Sequence, residues 1–136
     1  MSRDLKFRVW SISSKKMFER NNNYYLSLDG DLFQNDCLDY QNKSSFVIMQ
    51  YTGLKDRNGV EIYDGDILTM SPYQDEQYTV QVYWKYSALI LDTPFSESHD
   101  WTPLGYYVSH FGEHTLEVVG NIYEHPHLLP KEEEPK

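Results

Sequence analysis

Phe46-Val-Ile-Met-Gln-Tyr51, then Thr52-Gly-Leu-Lys-Asp-Arg-Asn-Gly59, Val60-Glu-Ile-Tyr63, Asp64-Gly-Asp66 and Ile67-Leu-Thr-Met70, form the stretch that decides the fold. Its apolar runs are four to six residues long and rich in β-branched and aromatic side chains, the signature of strands. Asn58-Gly59 is the strongest short hairpin signal, because both residues tolerate positive φ. Asp64-Gly65-Asp66 is a second tight turn, with Gly65 freeing the backbone before a new apolar strand. Ile67 is expected to point into a core. Gly53 is expected to free the backbone at a strand end.

The same rhythm extends outward. Tyr78 to Trp84 alternates: Tyr78, Val80, Val82 and Trp84 on one side, Thr79, Gln81 and Tyr83 on the other. Ala88–Leu91 reads as a strand, Trp101 to Val108 as mostly extended, and Glu113 to Val119 as the closing strand. Polar loops lie at 71–76 and 93–100. Upstream, Leu5, Phe7 and Val9 alternate with Lys6, Arg8 and Trp10, which predicts a half-buried strand. Met17-Phe18 would complete a first hairpin. Arg20–Asn23 and Asp29–Asp31 are turns, Tyr24–Leu28 and Leu32–Phe33 are strands, and Asn35–Ser45 reads as a loop without period. His125–Pro130 is an exit segment or a single helical turn, and 131–136 a charged, frayed tail.

Many short strands separated by Gly, Pro and Asn predict an all-β fold of short antiparallel strands. The expected organisation is one β domain over 1–130. In it an N-terminal hairpin and variable loop (1–45) pack on an SH3-like partial barrel (46–123).

Composition bounds the function. The 136 residues carry 21 acidic and 12 basic side chains, a formal net charge of −9. The balance is uneven: residues 1–20 hold six basic and two acidic groups, a net +4, and residues 21–136 hold six and nineteen, a net −13. Aromatic residues reach 15% and crowd the second half, where small β-barrels could stack nucleobases. Base stacking also needs a positive groove, and Lys85 is the one basic residue between Gly59 and Pro130. No nucleic-acid binding is therefore expected. No apolar run reaches the length of a membrane span, and the start lacks the apolar core of a secretion signal. With a single cysteine, Cys37, these features point to the cytoplasm. Asn42-Lys43-Ser44 matches a glycosylation pattern by chance on this reading.

Catalytic and metal-binding signatures are weak. His110 and His114 are four apart, and His125 and His127 straddle Pro126, yet no set of three or four ligands converges in sequence. The Asp-Gly-Asp turns and Asp56-Arg-Asn-Gly-Val-Glu61 echo a calcium loop but stop short of its ligand series. Cys37 lies among acidic residues that would raise its pKa. There is no nucleophile elbow and no phosphate loop. No catalytic, cofactor or metal residue is assigned, no cofactor is expected, and the chain is read as a non-enzyme.

Two stretches, Met49-Gln-Tyr-Thr-Gly through Ile67 and Val118-Val-Gly-Asn-Ile-Tyr-Glu-His-Pro-His-Leu-Leu129, together with Lys6-Phe-Arg-Val-Trp10, resemble the YopX family of phage and prophage proteins. The resemblance implies a mostly β protein of a bacterial host cell, whose family includes homo-oligomers and carries no established catalytic residues. Read on their own chemistry, Gly53, Asn58, Gly59, Asp64, Gly65, Asp66, Gly120 and Asn121 serve turns. Arg8, Trp10, Tyr83, Trp84, Trp101 and Tyr107 are candidate interface residues, since Tyr, Trp and Arg anchor interfaces. The leading expectation is a phage or prophage accessory protein acting by protein–protein contact, with itself and an unidentified protein as partners. An acidic nucleic-acid mimic blocking a host DNA-binding enzyme and an enzyme with an unseen site are the alternatives.

Overall fold

The computed structural model describes residues 4–18, 24–34, 39–41, 45–85, 87–92 and 101–129. The turn at 20–23, Cys37, the tripeptide 42–44, the loop at 93–100 and the tail at 131–136 lie outside them. The fold is all-β and antiparallel, with one α-helix among the described residues and one sheet curled into a half-barrel. Contacts divide the chain into two compact units, Leu5–Gln50 and Tyr51–Lys136 with Met1–Asp4.

In the first unit, β1 (Phe7–Ser11) pairs on one side with β2 (Lys16–Phe18), as the expected hairpin. On its other side it pairs with the first half of β6 (Phe46–Lys55), from Phe7 opposite Gln50 to Ser11 opposite Phe46. The half-buried reading of this strand needs correction. Arg8, Val9, Trp10 and Ser11 are all buried, whereas Leu5 and Phe7 are exposed. A middle strand with both faces covered loses the alternation on which the reading rested. A second sheet runs β3 (Tyr24–Leu26), β4 (Leu32–Gln34), β5 (Asp39–Gln41). Strand β5 falls in the stretch read as a loop. Three residues are too few to display a period.

The second unit is built on a five-stranded antiparallel sheet. Its order is β11 (Trp101–Pro103), β10 (Ala88–Asp92), β9 (Tyr78–Lys85), β8 (Asp66–Met70), β12 (Leu116–Asn121). Strand β7 (Glu61–Tyr63) pairs with the second half of β6 across an irregularity between Tyr51 and Lys55. Gly53 sits inside that irregularity at φ +90°, so it bends a continuing strand instead of ending one. Ile62, Leu68, Val82, Leu91, Leu104, Tyr107 and Leu116 form the heart of the core. Ile67 is fully buried, as expected.

The extended reading of 101–108 holds for Trp101–Pro103 alone. Leu104–Phe111 is an α-helix, α1. Leu104, Tyr107, Val108 and Phe111 follow the i, i+3, i+4, i+7 spacing of one helical face, and Leu104 and Tyr107 are buried with Val108 and Phe111 packed around them. Pro103 stands just before the helix, where it needs no N–H. Gly112, at φ +90°, ends it and donates its N–H to the Val108 carbonyl at 2.8 Å. Glu113–Thr115 forms a 3-10 turn ahead of β12, and Pro126–Leu128 forms the single turn expected near the end.

Candidate interaction surface

The two quoted motif stretches meet in the second unit, and backbone chemistry joins them. The hairpin is where Asn58-Gly59 placed it, but its type differs. Gly59 adopts φ +80° while Asn58 keeps a negative φ, so this is not the two-residue turn with positive φ at both positions. Asp56 and Val60 flank three loop residues, with Asp56 N–H donating to the Val60 carbonyl at 2.9 Å. Such a loop needs one left-handed residue, which Gly59 supplies.

Asp56 is the residue that sequence reading missed as an organiser. It is 3% exposed. Its Oδ1 accepts the amides of Asn58 (2.8 Å) and Val60 (2.9 Å), and its Oδ2 accepts the amide of Val118 (2.9 Å). The amide of Arg57 donates to the Leu116 carbonyl at 3.0 Å. The hairpin loop thus caps part of β12, an edge strand of its sheet, whose backbone groups would otherwise seek water or another chain. The Asp-x-Asn-Gly spacing, an Asx-turn pattern, carried this signal.

The second turn is tied in the same way. Asp66, 1% exposed, accepts the Tyr63 amide at 2.8 Å. Gly65, at φ +86°, donates to the Val82 carbonyl and accepts from the Ile122 amide. Asn121 Oδ1 accepts the amides of Tyr123 and Glu124, and its Nδ2 donates to Glu124 Oε1. Gly120 is required by close approach: a Cβ there would lie 2.6 Å from His125 Nδ1. That nitrogen accepts the Asn121 amide at 3.2 Å.

The candidate interface residues scatter. Arg8 and Trp10 lie in the unit Leu5–Gln50 and are buried, at 7% and 8% exposure, so neither offers a free surface. Tyr107 is fully buried, on the core-facing side of α1. Tyr83 and Trp101 are half-buried. Their registers, Tyr83 opposite Ile90 and Asp92 opposite Trp101, put Tyr83, Asp92 and Trp101 on one sheet face. Tyr83 donates its hydroxyl to Asp92 Oδ1 at 2.9 Å. Trp84 is 54% exposed, near the end of the β9–β10 hairpin.

An exposed aromatic strip that the sequence did not single out runs along α1. Tyr106 is 63% exposed and stacks on His110, centroids 6.1 Å apart and planes 4° from parallel. His110 meets Phe111 edge-on at 4.7 Å, and Phe111 stacks on Tyr107 at 4.8 Å. Tyr73, 53% exposed, meets Phe111 edge-on at 5.6 Å. Tyr73 and Phe111 line an open concavity of about 680 Å³, walled by the loop Ser71–Gln77 and by His114 and Thr115. On the loop side, Tyr78 donates its hydroxyl to Glu76 Oε2 at 2.9 Å, which holds the phenol's pKa above its ordinary 10.0. Deeper, Thr115 Oγ1 donates to the Gly112 carbonyl at 2.8 Å. Its one proton is then spent, so the 2.9 Å contact with Tyr107 is donated by the phenol. Burial raises the Tyr107 pKa.

Among the described residues no group of three or more His, Cys, Asp or Glu is placed to hold a metal ion, and no helix is long and apolar enough to cross a membrane. The sequence profile of the YopX family, described as YopX protein, matches residues 6–130. The chain belongs to the YopX family. The fold agrees with solved YopX-like structures. Protein yopX from Bacillus subtilis aligns at a TM-score of 0.63 with 23% identity, covering 92% of this chain and 98% of that one. Protein EF1440 from Enterococcus faecalis aligns at 0.61 with 25% identity, covering 95% and 100%. No curated protein matches the chain.

Proposed function

We propose that this YopX-family chain is a non-enzymatic phage or prophage accessory protein of the bacterial cytoplasm that acts through protein–protein contact and self-associates. The observation that carries this reading is the exposed aromatic strip of α1, with Tyr106 at 63% and Tyr73 at 53% exposure. Large aromatic side chains left in water on one short helix and its neighbouring loop are the composition of an interface core, and burying them removes apolar area from water. The motif residues support the reading from the other side: Asp56, Asp66, Gly65 and Asn121 are engaged with backbone groups of their own unit.

Light scattering on a size-exclusion column tests it. The wild-type chain is expected above its monomer mass of 16.2 kDa, and Tyr106→Glu, which places a charge in the strip, is expected to shift the mass back toward it. Equal masses for both proteins would remove the strip from the contact.

A further inference from the structure

We infer that the concavity between the Ser71–Gln77 loop and the end of α1 is a binding site for a cationic side chain, an arginine or lysine presented by a basic segment of a partner protein. This inference rests on the protein-contact reading above and names the chemistry of one contact. Tyr73 and Phe111 line it together, packed edge-to-face on each other at 5.6 Å. Aromatic faces are electron-rich and attract an ammonium or guanidinium. Asp75 and Glu76 line the same space. The Asp75 side chain makes no hydrogen bond or ion pair among the described residues. Glu76 accepts the Tyr78 hydroxyl with Oε2, and its other oxygen remains available to a second donor.

Charge selects the occupant. No lysine or arginine lines the concavity, and the chain around it carries one basic residue, Lys85, from Gly59 to Pro130. An anionic group would meet two carboxylates with no fixed cation to offset them. A cation meets two carboxylates beside an aromatic wall, and guanidinium and ammonium groups bind to both. At about 680 Å³ the space accommodates a long side chain with its flanking backbone.

The probe is a blocked peptide, acetyl-Gly-Arg-Gly-Arg-Gly-amide, with a Gln-for-Arg peptide as control. It is titrated into the full chain and followed by two-dimensional NMR. The expected shift changes concentrate on Tyr73, Asp75, Glu76 and Phe111. The double variant Asp75→Asn/Glu76→Gln, whose asparagine tolerates the left-handed backbone of position 75 (φ +67°), should bind about tenfold more weakly. Its unperturbed amide spectrum would confirm an intact fold. Shifts spread over the whole acidic surface, equal binding of the Gln peptide, or unchanged affinity of the double variant would overturn the site. The same shifts appearing with rising protein concentration, and vanishing in Lys15→Glu/Lys16→Glu, would overturn the separate partner and make a second copy the occupant. The two readings fail separately. Local peptide binding by a 16.2 kDa monomer keeps the site and removes self-association. Self-association without local peptide binding does the reverse.

Discussion

At the scale of single residues, the second unit depends on a few polar groups that each satisfy several backbone donors. Asp56 accepts three amides from a buried position. Removing its carboxylate leaves those donors facing little water, and bonds to a charged acceptor are the stronger ones. Asp56→Ala is expected to lower unfolding free energy by about 2–4 kcal/mol in urea titrations; a loss under about 0.5 kcal/mol, the range of an ordinary surface change, would contradict its role. Gly120 matters for a different reason. An added methyl would meet the His125 ring at 2.6–2.8 Å and its Cβ at 2.9 Å, displacing the imidazole and its bond to the Asn121 amide. Gly120→Ala should cost about 1–3 kcal/mol. In the background of His125→Ala, which removes the ring and keeps the Cβ at 2.9 Å, that cost should shrink. A double-mutant cycle checks this, and additive losses would show that His125 is not the cause.

At the scale of elements, helix α1 is too short to be stable by propensity, so its packing and its end hold it. Tyr107 anchors it to the core and ties it to Thr115 through its hydroxyl. The phenol's pKa lies above the ordinary 10.0 because burial disfavours the phenolate. A raised folded-state value stabilises the fold fully below the unfolded pKa, and the contribution is lost as pH rises through the folded value. Urea unfolding of Tyr107→Phe should therefore show a loss of about 1 kcal/mol at neutral pH from the missing hydrogen bond, with the gap to wild type narrowing above pH 10.0. A gap that stays constant into strong alkali would contradict the linkage.

Legibility in the sequence also divides at this scale. Long apolar runs such as Phe46–Tyr51 and Tyr78–Trp84 declare themselves as strands, and glycines in the Asp-Gly turns declare the bends. The α1 face was present as Leu104, Tyr107, Val108 and Phe111, but Gly105, two tyrosines and a valine lower helix propensity and hid it. Strand β5 is shorter than any period. The turn at Asn58-Gly59 was legible in place but not in type, because the choice was made by Asp56, whose third partner lies 62 residues away. The aromatic candidates were legible as a set, not as a surface: composition cannot separate Tyr107, fully buried, from its neighbour Tyr106, 63% exposed.

At the scale of the whole molecule, an acidic chain with a basic first segment keeps several of its carboxylates for internal work. Asp56, Asp66, Asp92 and Glu124 accept hydrogen bonds from their own unit. Outward on the second unit, besides side chains such as Trp84 and Val60, stands an aromatic strip beside Asp75 and Glu76. On the proposed reading that surface makes the contact, while the motif turns hold the fold. The most direct test is the solution mass. Size-exclusion chromatography with light scattering, run at high protein concentration and low salt, should give a mass above 16.2 kDa that falls toward the monomer in Tyr106→Glu. A single clean peak at 16.2 kDa for the wild-type chain would contradict self-association through the strip.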